Sequence, residues 1–448
     1  MKLSAALRIS DGEIVAFVGG GGKTTAMFRL AEEIVEAGGR VITTTTTRIF
    51  AAQVSLAPKH FSAFEVNRAA VEAALDKHHH VLITGPVDVE AGKAAGVTPG
   101  LVRDLLAIPD VAAILIEADG SRMRPFKAPA EHEPVIPNVT TLVVPVVGVD
   151  VFGQPLNDQR VHRVELVCAL TGAAEGEPVT PKLVARVTGH PQGGLKGVPA
   201  GVRVIPLINK AEASEELDAA RETADRLLGN PNISSVVIGA VKHGVNPARE
   251  AHGRVAAIVL AAGRSTRMGR SKQTLPWGDT TMIGEVVRRL QASRVAEIVV
   301  VTGAEKESVE AALAAAPVRF AFNPDFETSE MARSLQVGLR SLPLSGNFLA
   351  ALVVLADQPR FDPGVAQAVI QRWRETQAPV VAPIYQGQRG HPLLFDRSTW
   401  PDLFALPAEA NPRDFLRAAG RIELVEAVTD AILRDIDTPD DYERERRA

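Results

Sequence analysis

A chain of 448 residues is long enough for two or three domains with well-formed cores, and 46% apolar with 23% charged residues is the balance of a water-soluble globular protein. A formal net charge of −4, with Phe 15, Trp 3 and Tyr 2, argues against an extended nucleic-acid surface or a stacking platform for single strands. The single cysteine, Cys168, excludes an internal disulfide, no apolar run approaches the ~20 residues of a membrane span, and the N-terminus lacks the apolar stretch of a signal peptide, so the expectation is a cytoplasmic protein that uses neither membrane nor nucleic acid.

Glu13 to Val18 reads as a short buried strand. Gly19-Gly-Gly-Gly-Lys-Thr-Thr25 follows, and then a helical pattern through Ala37. Strand, glycine loop, Lys-Thr, helix is the order of a phosphate-binding loop. Gly20, Gly21, Gly22 and Thr25 are then candidate phosphate contacts, Lys23 the phosphate cation and Thr24 the Mg²⁺-ligating hydroxyl. Phe17 stands where the usual spacing has a glycine, and the loop resembles the shortened variant of the MinD-type ATPases, with Val18 in place of that variant's extra lysine. A plain glycine-rich turn is the competing reading.

Arg40 to Thr43 is a second strand, running into five consecutive threonines, Thr43 to Thr47. Their hydroxyls fit β-propensity and γ-phosphate contact equally well. His78-His-His80 reads as a helix end rather than a metal site, because adjacent histidines share no face. Val111 to Ile116 is a strong buried strand ending Glu117-Ala-Asp119-Gly-Ser-Arg122. A carboxylate at such a tip holds Mg²⁺, with Asp119 the first choice and Glu117 the second; an Asp-Gly turn is the alternative.

Thr141 to Val147 is another strand. The proline-rich stretch from Arg124 to Asn138 is expected to be non-helical and to lie over the site. Asp158 to His162, with Arg163, is polar and has no evident role from sequence. Arg203 to Ile208 is a strand ending Asn209-Lys210-Ala-Glu212, which resembles the guanine-reading Asn-Lys-x-Asp of GTPases; a strand followed by a helix capped near Ala213 reads almost as well. Gly19 to Thr25, Glu117 to Arg122, Lys127-Ala-Pro129, His132-Glu-Pro-Val135 and Asp158 to His162 together make residues 1–245 resemble the YqeC family, associated with molybdenum- and selenium-dependent hydroxylases. Residues 246–253, broken by Gly and Pro, read as a linker.

The second half opens with an apolar strand, Val255 to Leu260, and a basic glycine-bearing loop. Arg264, Arg267, Arg270 and Lys272 suit a polyphosphate held by cations and backbone N–H groups together. Leu260-Ala261-Ala262-Gly263, Arg267-Met268-Gly269 and Lys272 match, in type and spacing, the signature of the nucleotidyltransferases related to MobA. Helices at Thr280 to Ser293 and Met331 to Leu339 alternate with strands at Glu297 to Thr302, Val318 to Phe322 and Ala350 to Ala356. Alternation of this kind predicts a mostly parallel sheet with ligands at the carboxyl ends of its strands. Both halves open on a strand and a glycine loop, but their later motifs differ, which favours convergence over an internal repeat.

Asp357 stands at the tip of the last of those strands, and Asp437 lies in Asp435-Ile-Asp-Thr-Pro439; the pair is a candidate Mg²⁺ clamp. Resemblance to the MocA branch, which ends in a similar Asp-Ile-Asp-Thr-Pro, supports both, and His391 matches a family segment near the acceptor. Glu330-Met331 and Glu409 to Arg413 depart from the family pattern there. The resemblance implies transfer of CMP from CTP to molybdenum-bound molybdopterin, with pyrophosphate released and an apo molybdenum hydroxylase as the eventual recipient. Under it Arg267, Lys272 and Asp357 are catalytic, and Leu260, Ala261, Ala262, Gly263, Gly269 and His391 bind substrate. Ala262 leans towards cytosine, with uridylyl transfer left open. A transferase for another phosphorylated acceptor is one alternative; a nucleotide-switched cofactor-delivery chaperone with an inactive second half is another. The expected fold class is α/β, a P-loop NTPase-like domain followed by a Rossmann-like nucleotidyltransferase, the first with possible NTPase activity.

Overall fold

The computed structural model describes every residue except 265–267, 269–270, 329–330, 344–345, 408–409, 411–415, 417–419 and 448. The chain forms two compact units, Met1–His252 and Gly253–Ala448.

In the first unit nine strands run in the spatial order β9-β8-β7-β6-β1-β5-β2-β4-β3. They are β1 Glu13–Gly19, β2 Arg40–Thr45, β3 His60–Ser62, β4 His80–Thr84, β5 Val111–Glu117, β6 Leu142–Gly148, β7 Leu207–Asn209, β8 Val236–Gly239 and β9 Ala248–His252. A tenth, two-residue strand, Arg203–Val204, pairs with β6. All neighbours are parallel except β8 and β9. β1 and β6 are apolar on both faces, as a parallel sheet covered by helices requires. Each fully buried Val, Leu, Ile or Phe of these strands contributes ~1.5–3 kcal/mol of apolar burial.

Helix Lys23–Glu36 turns Ala26, Met27, Leu30, Ala31 and Ile34 inward, the i, i+4 spacing of one face. It ends where Gly38 takes φ +86, a left-handed turn that favours glycine. His78 closes helix Arg68–His78, His79 caps it in the left-handed region, and His80 begins β4. The histidine triplet is thus a helix-to-strand junction, as its sequence suggests.

The expected linker at 246–253 is mostly not one. Ala248–His252 is β9, antiparallel to β8, with Glu250 and His252 buried. Polar composition hid a strand whose charges are paired inside: Glu250 accepts from Arg221 and contacts His252.

The second sheet comprises β10 Arg254–Ala261, β11 Glu297–Thr302, β12 Arg319–Phe322, β13 Phe348–Leu355, β14 Val380–Tyr385, β15 Gln388–Arg389, β16 Leu393–Asp396 and β17 Ile422–Glu426. Its order is β12-β11-β10-β13-β16-β14-β15, with β17 beside β14. The strands β12, β11, β10 and β13 are mutually parallel, and β16 runs antiparallel to both of its neighbours. Helix Pro363–Thr376 starts with Asp362 accepting from Gly364 N at 2.7 Å and buries Trp373, whose indole N–H donates to Asp396. Among the described residues no helix is long and apolar enough to cross a membrane.

Candidate functional site

In the first unit the glycine loop joins β1 to helix Lys23–Glu36 at the carboxyl edge of the sheet. Gly21 has φ +83, and a Cβ there would lie 2.1 Å from Gly148 N. A Cβ on Gly20 would lie 2.6 Å from Arg124 O. The glycines are therefore required by close backbone approach on two sides.

Lys23 Nζ donates to Gly19 O at 2.6 Å and lies 3.3 Å from Asp119 Oδ1. Asp119 also accepts from Gly19 N and pairs with Lys127 at 3.0 Å, with its side chain 2% exposed. Glu117 is the carboxylate that meets the loop hydroxyl: Thr24 Oγ1 donates to Glu117 Oε2 at 2.6 Å. Asp119 is spent on two lysines and a backbone N–H beneath the loop, while Glu117 stands beside Thr24. Burial pushes the Glu117 carboxyl up, opposed by Lys23 and Thr24.

A cavity of roughly 490 Å³ opens here, lined by Gly21, Gly22, Lys23, Thr24 and Thr25 on one side. The proline-rich stretch does contribute to it, through Glu133. Glu133 accepts from Lys127 at 2.6 Å and from Arg163 at 2.7 Å. Burial opposes its charge, but those two cations hold its carboxyl down to about 2. His162 and Arg163 also line the cavity, so the polar stretch without an evident role belongs to this site. Its signal was alternation of His and Arg beside a motif; only the pairing of Val161–His162 with Phe126–Lys127 brings it there.

Asn209 Nδ2 donates to Gly21 O at 2.9 Å and its Oδ1 accepts from Val241 N, so Asn209 braces the loop. Lys210 lines the cavity and pairs with Asp150 at 2.7 Å. Glu212 is exposed and is not among the lining side chains; with its backbone N–H on Glu216 it starts helix Ser214–Leu228. The structure brings no base-reading carboxylate to the cavity from this motif. Of the threonine run, Thr43, Thr44 and Thr45 are buried and bond to His80, Ile83 O and Glu117 O, whereas Thr47 reaches the cavity.

In the second unit β10 and β13 are adjacent and parallel, which brings the loop after Ala261 beside Asp357. Lys272 Nζ bridges Asp357 Oδ2 at 2.7 Å and Asp437 Oδ1 at 3.0 Å. Burial works against the Lys272 charge, but the two carboxylates outweigh it and raise its pKa. Asp357 Oδ1 is buried and has no hydrogen-bond partner among the described residues. The Asp435–Asp437 segment is pinned by Ile436 N donating to Asp357 O at 3.1 Å and by Gln358 Nε2 donating to Asp435 Oδ1 at 2.8 Å. Burial, then Asp357, pushes Asp435 up. Ile436 packs in one small cluster with Met268 and Leu275, so the methionine of the basic loop anchors it against the acidic segment.

These groups open on a cavity of roughly 330 Å³ lined also by Leu260, Ala262, Gly263, Phe326 and Ser334. Ala261 is core rather than lining, at 1% exposed. His391 lies in an adjoining apolar pocket with Leu260, Met331 and Leu335. Its ring Nε2 is buried without a partner among the described residues, and burial holds its pKa to about 4. Arg267 and Gly269, expected to bind substrate, lie outside the described residues, as do Arg270, Glu330, Glu409 and 411–413. Asp435 was legible in the sequence, two residues from Asp437 on the same side of an extended segment, but went unassigned.

Two α/β units, each with a cavity at the carboxyl ends of parallel strands, place the protein in the class of open α/β folds that bind ligands at strand ends. The YqeC protein family matches residues 15–165 and the MobA-like NTP transferase domain matches residues 257–424. The chain belongs to the YqeC family and carries a MobA-like NTP transferase domain as its second unit. It is 33% identical over 216 residues to the uncharacterized protein YqeC of Escherichia coli K12, spanning 47% of this chain and 80% of that one. It is 27% identical to nicotine blue oxidoreductase of Paenarthrobacter nicotinovorans (41% of this chain, 92% of that one). It is 26% identical to the molybdenum cofactor cytidylyltransferase of Escherichia coli K12 (41% and 92%).

Proposed function

We propose that the second unit transfers CMP from CTP to the phosphate of molybdenum-bound molybdopterin, releasing pyrophosphate, and that the product serves an apo molybdenum hydroxylase. The observation that carries the reading is the clamp of Lys272 between Asp357 and Asp437, with Asp357 Oδ1 buried and unpartnered. An orphaned carboxylate oxygen beside a second, partly exposed aspartate suits a divalent cation, Mg²⁺ by this reading. Among the described residues no group of three or more His, Cys, Asp or Glu is arranged to hold a metal. Mg²⁺ typically takes one or two carboxylates and completes its shell with water and substrate phosphates, so two aspartates suffice.

The acceptor phosphate oxygen attacks the α-phosphorus of CTP, and the bond from that phosphorus to the bridging oxygen breaks. No base is needed, because the acceptor oxygen is already ionised. Lys272 turns from the aspartates to the triphosphate, and Arg267 joins it from the same basic loop. Asp357 and Asp437 would hold the metal, which supplies neutralisation of charge on the phosphates. Positioning and charge neutralisation carry most of such a reaction. The relative named molybdenum cofactor cytidylyltransferase supports the acceptor and the base.

The test is pyrophosphate release from each of the four NTPs with molybdenum-loaded molybdopterin. Release with CTP alone supports the reading; release with GTP or UTP alone overturns the base, and release with none overturns the reaction. For the first unit the proposal is Mg²⁺–nucleoside triphosphate binding at Gly20 to Thr25, with Thr24 and Glu117 at the metal. Thr24 Oγ1 on Glu117 supports it. Residues 1–252 and 253–448 are proposed to be the two functional domains.

A further inference from the structure

The cavity of the first unit has a second cationic pole beyond the glycine loop. Arg122, His162 and Arg163 line it together with Glu133. Arg163 is committed to Glu133 at 2.7 Å, whereas Arg122 has no carboxylate or carbonyl partner among the described residues. Six cations, Lys23, Arg48, Lys93, Arg122, Arg163 and Lys210, line the cavity with two carboxylates, Glu117 and Glu133. The His162 ring lines the cavity too, and burial, then Arg163, Lys127 and Arg122, lowers its pKa to about 4.

The backbone is also committed to this arrangement. Arg122 and Met123 adopt φ +49 and +61, two successive non-glycine residues in the left-handed region. Such strain concentrates where a side chain must be held for binding or chemistry. One residue on, Arg124 O accepts from Gly21 N at 3.0 Å, so the strained turn is tied directly to the glycine loop.

We propose that Arg122, with Arg163 and His162, forms an oxyanion subsite facing the glycine loop, built for the phosphate or similar tetrahedral oxyanion of a small second substrate. The first unit is then a two-substrate site rather than a simple nucleotide switch. The subsite's role rests on the nucleotide reading of the loop; its existence does not.

The experiment titrates inorganic phosphate, and separately Mg²⁺–ATP, into the full chain by calorimetry, comparing wild type with Arg122→Gln, Arg122→Lys and Lys23→Ala. Arg122→Gln is expected to weaken one phosphate equivalent by about tenfold or more, the effect of one charge-assisted bond. Its Mg²⁺–ATP affinity should stay within about twofold of wild type, and Arg122→Lys should recover most phosphate binding. Lys23→Ala should weaken Mg²⁺–ATP and leave the Arg122-dependent phosphate in place. Phosphate binding unchanged in Arg122→Gln overturns the subsite. So does equal weakening of phosphate and Mg²⁺–ATP, which would make Arg122 a contact of the triphosphate itself. If wild type binds no Mg²⁺–ATP yet keeps the Arg122-dependent phosphate, the nucleotide reading falls and the subsite stands.

Discussion

Thr24 Oγ1 and Glu117 Oε2 are 2.6 Å apart, and that bond ties the first turn of a helix to the tip of the neighbouring strand. Asp119, two residues on, holds Lys23 and Lys127 instead. The two carboxylates therefore respond differently to loss of charge. Glu117→Gln should fold and lose Mg²⁺-dependent nucleotide binding by about tenfold or more. Asp119→Asn leaves two buried lysines underpaired and should cost ~3–5 kcal/mol of unfolding free energy. Urea denaturation and nucleotide titration of the two variants check this; the reverse pattern would restore Asp119 as the metal carboxylate.

Asp357→Ala should abolish pyrophosphate release, a loss of at least ~10³-fold for a group at the reacting phosphates. Lys23→Ala, in the other unit, should leave release largely intact. Equal loss in both variants would mean the halves act as one site.

Lys272→Ala removes the cation between Asp357 and Asp437. The expected stability loss at pH 7 is about 1–2 kcal/mol, discounted because Asp437 is partly exposed to screening solvent. The sign with pH follows from the raised Lys272 pKa. Its contribution is complete below the unfolded value of 10.5 and disappears as pH rises through the folded value. Wild type and Lys272→Ala should therefore converge in stability in strong alkali. A constant gap across that range would mean the ion pair is not its source.

His80 and His391 are both held to about 4 by burial. The unfolded chain takes up protons first, near 6.5, so their contribution is present above that pH and is lost as pH falls towards about 4. Denaturant midpoints should decline as pH falls below 6.5. An NMR titration of His80, hydrogen-bonded to Thr43 Oγ1, should show no protonation near 6.5. A normal imidazole titration there would refute the buried neutral form.

Gly21→Ala places a methyl against Gly148 and forces φ +83 on an L-residue. The first unit should lose ~2–4 kcal/mol, combining left-handed strain with overpacking. A melting temperature unchanged by the substitution would contradict the packing at this loop.

Much of both sites can be read from residues near each other in the chain. Gly21 to Thr25 line one cavity, and Leu260, Ala262, Gly263 and Lys272 the other, each from a short motif at a strand end. What sequence reading missed is what only long-range pairing creates. The ranking of Glu117 against Asp119 depends on where Lys127 returns, and the role of His162 depends on β-pairing with Lys127. Strand then Asn-Lys is also how a helix begins after a strand, and here Asn209 braces Gly21 while Glu212 lies off the cavity lining. Residues 246–253 read as linker because Glu250 and His252, buried and paired with each other, with Arg221 reaching Glu250 from a helix, look like solvent-facing charge.

That last strand bears on how the halves can be handled apart. Stopping translation after residue 245 would strip β9 and leave β8, Val236–Gly239, as an apolar open edge ready to pair with another molecule. A first half ending at His252 keeps its own cover, and should stay dispersed where the shorter version clumps.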